Sequence, residues 1–272
     1  MLVTRPVGDA QSWVDQLQDA GFDAVNLPLI AIAPLVEQHE LRSAWRRISG
    51  FDAVMFVSGN AVSHFFAARP PQVPLQFDQK AGGTRAWGTG PGTQRALVAA
   101  GVIPSRIDTP GLSAQQFDSQ ALWDLVRHQV TAQSKALIVR GTTIQAAGQP
   151  VLASAGADCA LAENRDWLAK RLADSGCRVE IAVAYQRTHP AFTSEQKSLV
   201  YSAASDGSVW VLSSSEAVSN LVAAFPLQLW ENARAVATHP RIAEVARQVG
   251  FGVVCESRPS FDSVVASIES MG

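Results

Sequence analysis

Small polar residues and glycines follow several apolar runs in this sequence, and residues of these types can bind an anion. Two such stretches have the same form, "FDAVMFVSGNAVSHFF" from Phe51 to Phe66 and "GSVWVLSSSEAVSNLV" from Gly207 to Val222. Each reads as a short strand, a polar turn and a helix. Backbone N–H groups at a helix N-terminus bind anions without any cationic side chain. The pattern therefore predicts anion-binding turns.

The candidate binding residues are expected just beyond the carboxyl ends of strands, where ligands collect in parallel sheets. Apart from two arginines they are small, hydroxylated, amide or glycine residues: Arg5, Ser58, Asn60, Gly92, Thr93, Arg140, Ser213, Ser214 and Thr238. For any single Ser, Thr or Asn, an ordinary helix N-cap is the simpler interpretation. The argument for a site is that several such turns should gather on the edges of two domains.

Three larger side chains could add chemistry to these turns. Arg5 and Arg140 each follow a strand directly, and arginine can hold a carboxylate through two parallel hydrogen bonds. Pairing with an acidic residue of its own domain is an equally good interpretation of each. Tyr185 is one of two tyrosines and ends the strand "EIAVAYQ". It could donate a proton from a partly apolar cleft, or pack its ring at the rim with a solvated hydroxyl.

Other kinds of chemistry lack their sequence signatures. The five histidines form no HxxxH pattern and no cluster with cysteine, so no metal site is expected. "GTGPGT" at Gly88–Thr93 has neither GxGxxG spacing nor the lysine of a P-loop, so no nucleotide cofactor is expected. The net charge of -2 gives no basic field for nucleic acid.

Composition also predicts where the protein works. The three cysteines, Cys159, Cys177 and Cys255, are scattered, which argues against a disulfide framework and favours a reducing compartment. The sequence start lacks a basic segment followed by an apolar one, so no signal peptide is expected. No apolar run approaches membrane-spanning length. These observations predict a cytoplasmic protein that does not bind membranes.

Short β-rich runs alternate with amphipathic helical stretches, which predicts parallel sheets with crossover helices. Helix "DAQSWVDQLQDAG" should end at Gly21. Helix "SAQQFDSQALWDLVRH" should be capped by Ser113 and bury a stripe of Phe117, Ala121 and Leu125, with Leu122 beside it. The predicted strands are Leu2–Thr4, Ala24–Leu29, Ala53–Val57, Arg85–Trp87, Ala136–Val139, Ile181–Tyr185, Ser208–Leu212, Ala233–Ala237 and Gly252–Cys255.

The two opening stretches belong to a longer internal repeat, which indicates a duplicated chain with two related domains. Other repeated pairs are "LVTRP" with "LIVRG", "WVDQLQDAGFDAVNLPLI" with "WLAKRLADSGCRVEIAVAY", and "RAWGTGPGTQRALVAAGV" with "RAVATHPRIAEVARQVGF". Arg5 and Arg140 occupy equivalent places in this repeat. The second copy carries an Ala/Gly/Ser-rich insertion, residues 142–163, which reads as a surface loop or a lid.

An ordered set of motifs resembles the uroporphyrinogen-III synthase family over nearly the whole chain. The motifs are "LVTRP", "PLIAIAP", "FDAVMFVSGNAVSHFF", "GPGTQRAL", "LIVRG", "WLAKRLADSGCRVEIAVAYQR" and "THPRIAEVARQVGF". The resemblance implies two α/β domains with parallel sheets, joined by a two-stranded β-ladder. The first domain would be Met1–Pro34 with Gln186–Gly272, and the second Leu35–Tyr185.

The resemblance also implies a reaction. Members close the linear tetrapyrrole hydroxymethylbilane into uroporphyrinogen III, with inversion of ring D and loss of water, and use no metal or organic cofactor. The many carboxylates of that substrate suit anion-binding turns. Tyr185 matches a cleft tyrosine proposed to assist loss of the hydroxyl, and Thr93 matches a cleft threonine. A monomeric enzyme with graded losses on mutation is implied.

A second function stays open on the residues alone. The same turns, with no evident nucleophile or metal set, also fit a non-catalytic two-domain binding protein for a small anionic metabolite. Such a protein would saturate with its ligand and release it unchanged. A nucleotide-dependent enzyme is a weaker third alternative, because both phosphate-loop signatures are missing.

Overall fold

A computed structural model of the chain describes residues 1–78, 83–111, 119–143 and 167–271. The chain divides into a first unit, Met1–Ile32 with Thr188–Gly272, and a second unit, Ala33–Arg187. The boundaries expected from the sequence, after Pro34 and after Tyr185, stay a prediction about functional domains.

The elements alternate along the chain as expected for α/β units. In chain order the strands are β1 (Leu2–Val3), β2 (Val25–Asn26), β3 (Ala31–Pro34), β4 (Ala53–Phe56), β5 (Arg85–Gly88), β6 (Ile107–Asp108), β7 (Lys135–Thr143), β8 (Arg178–Thr188), β9 (Val209–Leu212), β10 (Arg234–Ala237) and β11 (Val253–Glu256). The helices are α1 (Val7–Asp19), α2 (His39–Arg46), α3 (Gly59–Ala67), α4 (Pro91–Ala99), α5 (Ser119–Val126), α6 (167–174), α7 (Ser194–Ala203), α8 (Ser215–Ala224), α9 (Pro240–Gln248) and α10 (Phe261–Glu269).

The first unit contains a parallel five-stranded sheet in the order β11-β10-β9-β1-β2. Successive side chains of β9 point to opposite faces, and both faces are covered. Trp210 and Leu212 pack in one apolar cluster, while Val209 and Val211 pack in another with residues of α1 and α10. This two-sided burial explains why the strand is a continuous apolar run rather than an alternating one.

The second unit contains a six-stranded sheet in the order β3-β8-β7-β4-β5-β6. Its central strand β4 is buried on both faces. Met55 packs with Leu122 of α5 and Leu168 of α6 on one face. On the other face Phe56 meets the ring of Phe65, which is stacked on Trp45 with ring centroids 4.6 Å apart. The paired strands β4 to β8 are all parallel, so their carboxyl ends share one edge.

Apart from the edge strand β3, the two sheets have the same strand order once the repeat is used to match them. Strands β11, β10, β9, β1 and β2 correspond to β6, β5, β4, β7 and β8. Gly21 and Gly176, which are equivalent in the repeat, have φ angles of 86° and 81° and end equivalent helices. The fold is therefore the pair of parallel-sheet α/β units that the duplicated sequence predicted.

The chain passes from the first unit to the second within β3 and returns at the end of β8. These two strands are neighbours in the six-stranded sheet. They are the pair of connecting strands that the family resemblance implied.

One predicted helix face is wrong, and two predictions lie outside the described residues. On α5 the buried residues are Leu122 and Val126, whereas Leu125 is 39% exposed. Ser113 and Phe117, and all but the first two residues of the 142–163 insertion, fall outside the described ranges. Within the described ranges, no helix combines the length and the apolar character needed to cross a membrane.

Candidate functional site

Each sheet has a topological switch point, where the order in which the chain adds strands reverses direction. In the second unit the chain runs from β4 through β5 to β6 and then continues on the other side of β4 with β7. In the first unit the same change lies between β1 and β9. Loops diverge at such a point and leave a crevice beyond the carboxyl ends of the strands, where ligands bind. Most of the predicted binding residues border these two points.

Arg5 follows β1 at the crevice of the first sheet. Its guanidinium carbon lies 4.4 Å from the centroid of the Trp13 ring, a cation–π distance. Trp13 is buried at 8% exposure on α1. The buried indole therefore restrains the position of the guanidinium group at the end of β1.

Ser213, Ser214 and Thr238 follow β9 and β10 along the same edge. Ser214 is the N-cap residue of α8 with an extended backbone, and its side chain makes no capping hydrogen bond. Thr238 is buried and its hydroxyl donates to the carbonyl of Leu212 at 3.3 Å. The next residue, His239, caps α9 by accepting the Arg241 N–H at Nδ1 over 3.1 Å. His239 is therefore the N-cap of α9.

Ser58 and Asn60 follow β4 at the crevice of the second sheet. Ser58 is the N-cap of α3, and its Oγ accepts the Ala61 N–H at 3.1 Å. Asn60 lies in the first turn of α3 and is half-buried. The ordinary capping role considered for Ser58 is therefore real, but it uses only part of the hydrogen-bonding capacity of the hydroxyl.

Gly92 and Thr93 lie in the first turn of α4, which begins with Gly90 as N-cap and Pro91 at its first position. Thr93 is buried, and a Cβ added to Gly88 would lie 3.1 Å from its methyl carbon, so the Thr93 side chain packs on the end of β5. A Cβ added to Gly92 would meet nothing within 4 Å. Gly92 therefore leaves the N-terminus of α4 sterically open without being needed for packing.

Tyr185 lies on β8 beside the crevice of the second sheet and is 4% exposed. Its hydroxyl is 3.2 Å from the Ser58 Oγ. Either hydroxyl can donate in this contact, and when Ser58 donates to the Tyr185 oxygen the phenolic proton is available for transfer. The ring is buried rather than packed on an exposed rim.

Two neighbours of Tyr185 were not predicted as site residues. The His64 ring of α3 stacks on the Tyr185 ring, with centroids 5.5 Å apart and planes at 26°. Burial lowers the pKa of His64 below its ordinary value, which favours the neutral imidazole. Gly141 lies opposite Tyr185 in the β7–β8 ladder. A polar residue among the apolar positions Val62, Phe65 and Phe66 was the sequence signal for His64.

Arg140 ends the regular part of β7. It is half-buried and pairs with Val183, and the register then shifts so that Gly141 pairs with Tyr185. Ala184 is the extra residue of this bulge. Bulges redirect side chains at functional edges, and here the irregularity lies directly beside Tyr185. Arg140 does not follow its strand as the sequence indicated, and Tyr185 does not end its own, because β7 continues to Thr143 and β8 to Thr188. Both residues lie on strands at the side of the sheet where Ser58 follows β4.

A cavity of about 520 Å³ lies at the opposite edge of the second sheet, where β4, β5 and β7 begin. Asp52, Arg85, Arg106 and Lys135 are among its lining residues, and none of the predicted site residues is. The Arg85 guanidinium is held by Asp108, with Nη2 to Oδ1 at 2.7 Å. Among the residues that the structure describes, no group of His, Cys, Asp and Glu side chains could hold a metal ion.

The fold and these edges define a class of proteins. The class has two related α/β units with parallel sheets, connecting strands that lie side by side, and helix N-termini along both carboxyl edges. A family model described as uroporphyrinogen-III synthase HemD matches the chain over residues 11–160 and 142–266. The chain belongs to the uroporphyrinogen-III synthase family, which supports the synthase over the binding-protein alternative.

Solved structures share this fold. One is a mutant uroporphyrinogen III synthase from the extremely thermophilic bacterium Thermus thermophilus, with 15% identity, a TM-score of 0.50, and coverage of 99% of this chain and 96% of that chain. Another is uroporphyrinogen-III synthetase from Helicobacter pylori, with 14% identity, a TM-score of 0.57, and coverage of 92% of this chain and 94% of that chain. At these identities the likeness concerns the fold.

Proposed function

We propose that the chain is a cofactor-independent hydro-lyase that cyclises hydroxymethylbilane to uroporphyrinogen III, and that Tyr185 supplies the proton for the departing water. The observation that carries the role of Tyr185 is its position. A buried phenol lies at the crevice of the second sheet with its oxygen 3.2 Å from the Ser58 hydroxyl.

The first step breaks the bond between the terminal carbon of the bilane and its hydroxyl oxygen. The oxygen keeps the bonding electrons, takes the proton of Tyr185 and leaves as water, while the pyrrole nitrogen stabilises the cation that forms. The Ser58 hydroxyl donates a hydrogen bond to the phenolate as negative charge develops. The proton that ring D loses after closure restores the phenol, so the reaction releases only water.

The rest of the site holds the substrate in the geometry that gives inversion. A flexible chain closes without inversion unless it is constrained, so positioning is the main task of the protein. We assign carboxylate binding to Arg5, Arg140 and the turns that contain Ser58, Asn60, Gly92, Thr93, Ser213, Ser214 and Thr238. Guanidinium groups and helix N-termini both hold carboxylates well.

We also propose that the enzyme is a monomer and acts in the cytoplasm. The scattered cysteines support a reducing compartment. Size-exclusion chromatography with light scattering measures the mass, and a mass of twice that of the chain would contradict the monomer.

The test is to incubate the protein with hydroxymethylbilane and separate the isomers of the product after oxidation. We expect uroporphyrin III in excess over the type I isomer, which forms without enzyme. The same assay after dialysis against a chelator should give the same rate, since no metal takes part. Type I product alone would contradict the proposed reaction, and a rate lost to the chelator and restored by metal would contradict cofactor independence.

A further inference from the structure

The Tyr185 ring is restricted by its contact with the main chain of β7. A Cβ added to Gly141 would lie 2.5 Å from both Cε2 and Cζ of the ring. Contacts this short do not occur between real side chains, so any residue other than glycine at position 141 must displace the ring. The Gly141 main chain therefore fixes how closely the phenol approaches β7.

The bulge in β8 determines that Tyr185 lies opposite Gly141 in the β7–β8 ladder. Arg140 pairs with Val183, and Gly141 pairs with Tyr185 rather than with Ala184. The regular alternation of faces is interrupted, and Ala184 and Tyr185 are both buried. The irregular ladder thus places the tyrosine ring opposite the only residue type that leaves room for it.

The ring also contacts α3. His64 stacks on it at 5.5 Å between centroids and 26° between planes. Ser58, the N-cap of the same helix, contacts the hydroxyl at 3.2 Å. One helix therefore contacts both the face of the phenol and its oxygen, so a shift of the ring changes the direction of the O–H group.

We propose that Gly141 and His64 are positioning residues that fix the orientation of the Tyr185 phenol toward its proton acceptor. Gly141 sets the distance of the ring from β7, and His64 sets its plane. The expected effect on turnover rests on the proposed function. The restraint on the Tyr185 ring does not depend on it.

The chain offers a direct spectroscopic test, because it contains two tyrosines. Tyr185 is buried, and Tyr201 is 56% exposed, so the two should give separate signals when tyrosine is labelled with ¹³C at Cζ. We expect Gly141→Ala and His64→Ala each to shift the Tyr185 signal and leave the Tyr201 signal in place. The exposed residue serves as an internal reference in every spectrum.

The kinetic test compares kcat with KM. Because small misplacements of a catalytic group are costly, Gly141→Ala should lower kcat by about tenfold or more, and His64→Ala by roughly threefold to tenfold, with little change in KM. His64→Phe keeps a ring to stack on and should recover most of the turnover lost in His64→Ala. His128→Ala, in an exposed position, is the control.

Repeating both substitutions in a Tyr185→Phe background separates positioning from general damage. If Gly141 and His64 act through the phenol, they should have little further effect once the hydroxyl is gone. Fully additive losses, or an unmoved Tyr185 signal, would overturn the proposal. If Gly141→Ala does not fold, the His64 series decides alone.

A failure of the proposed function can be told apart from a failure of the positioning proposal. An unchanged rate in Tyr185→Phe would remove the hydroxyl from the mechanism. The labelled tyrosine signals would still show whether Gly141 and His64 position the ring.

Discussion

The carboxyl edges of the two sheets derive from one repeated segment but use their polar residues differently. His64 in α3 corresponds to Asn220 in α8. His64 stacks on Tyr185, whereas the Asn220 side chain donates to the buried carbonyl of Leu29 at 2.8 Å. The same helix position thus contacts a candidate catalytic group in the second unit and satisfies a main-chain group in the first.

The turns that follow β5 and β10 also differ in how their polar groups are used. Gly90-Pro91-Gly92 in the second unit corresponds to His239-Pro240-Arg241 in the first. His239 caps its helix with its own imidazole, while Gly90 has no side chain to do so and Gly92 leaves open space. The turn of the second unit therefore leaves the helix start open, whereas the turn of the first unit closes it with a side chain. In the first unit Arg5 contacts the Trp13 ring at 4.4 Å.

The largest expected effect is on Tyr185, at the edge assigned to chemistry. Replacing Tyr185 by Phe removes the proton donor and should lower kcat by roughly tenfold to a hundredfold, at or below the low end of general-acid effects. Steady-state kinetics with hydroxymethylbilane measures this loss. Tyr201→Phe is the matched control and should leave the rate unchanged. Equal rates in the two variants would show that the second edge supplies no proton.

A loss of stability rather than rate is expected at the equivalent place in the first unit. Asn220→Ala leaves the buried carbonyl of Leu29 without this donor and should lower the free energy of unfolding by about 1–3 kcal/mol. His64→Ala removes a partly exposed stacking contact and should cost roughly 1 kcal/mol or less. Urea unfolding measures both. A reversed order of the two losses would break the comparison.

A substitution in the open turn at the start of α4 tests whether the carboxyl edge of the second sheet binds an anion. Gly92→Ala should leave the free energy of unfolding unchanged or raise it by up to about 1 kcal/mol, because alanine favours helix and meets no neighbour. If a substrate carboxylate approaches this turn, the added methyl group should raise KM several-fold. Gly50→Ala, which also meets nothing within 4 Å, is the control. An unchanged KM would remove α4 from the binding site.

The smallest effect concerns the pH dependence of stability. Burial lowers the pKa of His64 from its ordinary value of 6.5, so the unfolded state binds the proton more readily. Stability therefore falls as pH drops from 6.5 toward the lower folded pKa, and this contribution is fully present above 6.5. His64→Gln should lose less stability than the wild type between pH of about 7.5 and 5.5.

The strands that the sequence predicted well are those buried on both faces. Strand β4 was expected at Ala53–Val57 and is Ala53–Phe56, because a continuous apolar run between polar turns is a strong local signal. The two-residue strand Ile107–Asp108 was missed, since so short a segment carries no periodicity. On α5 the sequence indicated a stripe through Leu125 with Leu122 beside it, whereas Leu122 and Val126 are the residues that are buried.

From the sequence, only those site residues that lie at strand ends and helix starts could be predicted. Ser58 and Ser214 follow their strands as expected, whereas Arg140 and Tyr185 lie inside strands that run on past the predicted ends. The His64–Tyr185–Gly141 arrangement depends on a bulge that brings two distant segments into register. No local pattern contains that information, although the repeat does align His64 with a second polar residue, Asn220.

The crossing of the chain through β3 and β8 has a consequence for biosynthesis. The second unit is a single continuous stretch, Ala33–Arg187, whereas the first unit needs Met1–Ile32 together with residues from Thr188 onward. On the ribosome the second unit can fold as soon as it emerges, while β1 and α1 must wait for β9 to be made. During that interval Leu2, Val3 and Leu17 lack the members of their apolar clusters that the later segments supply.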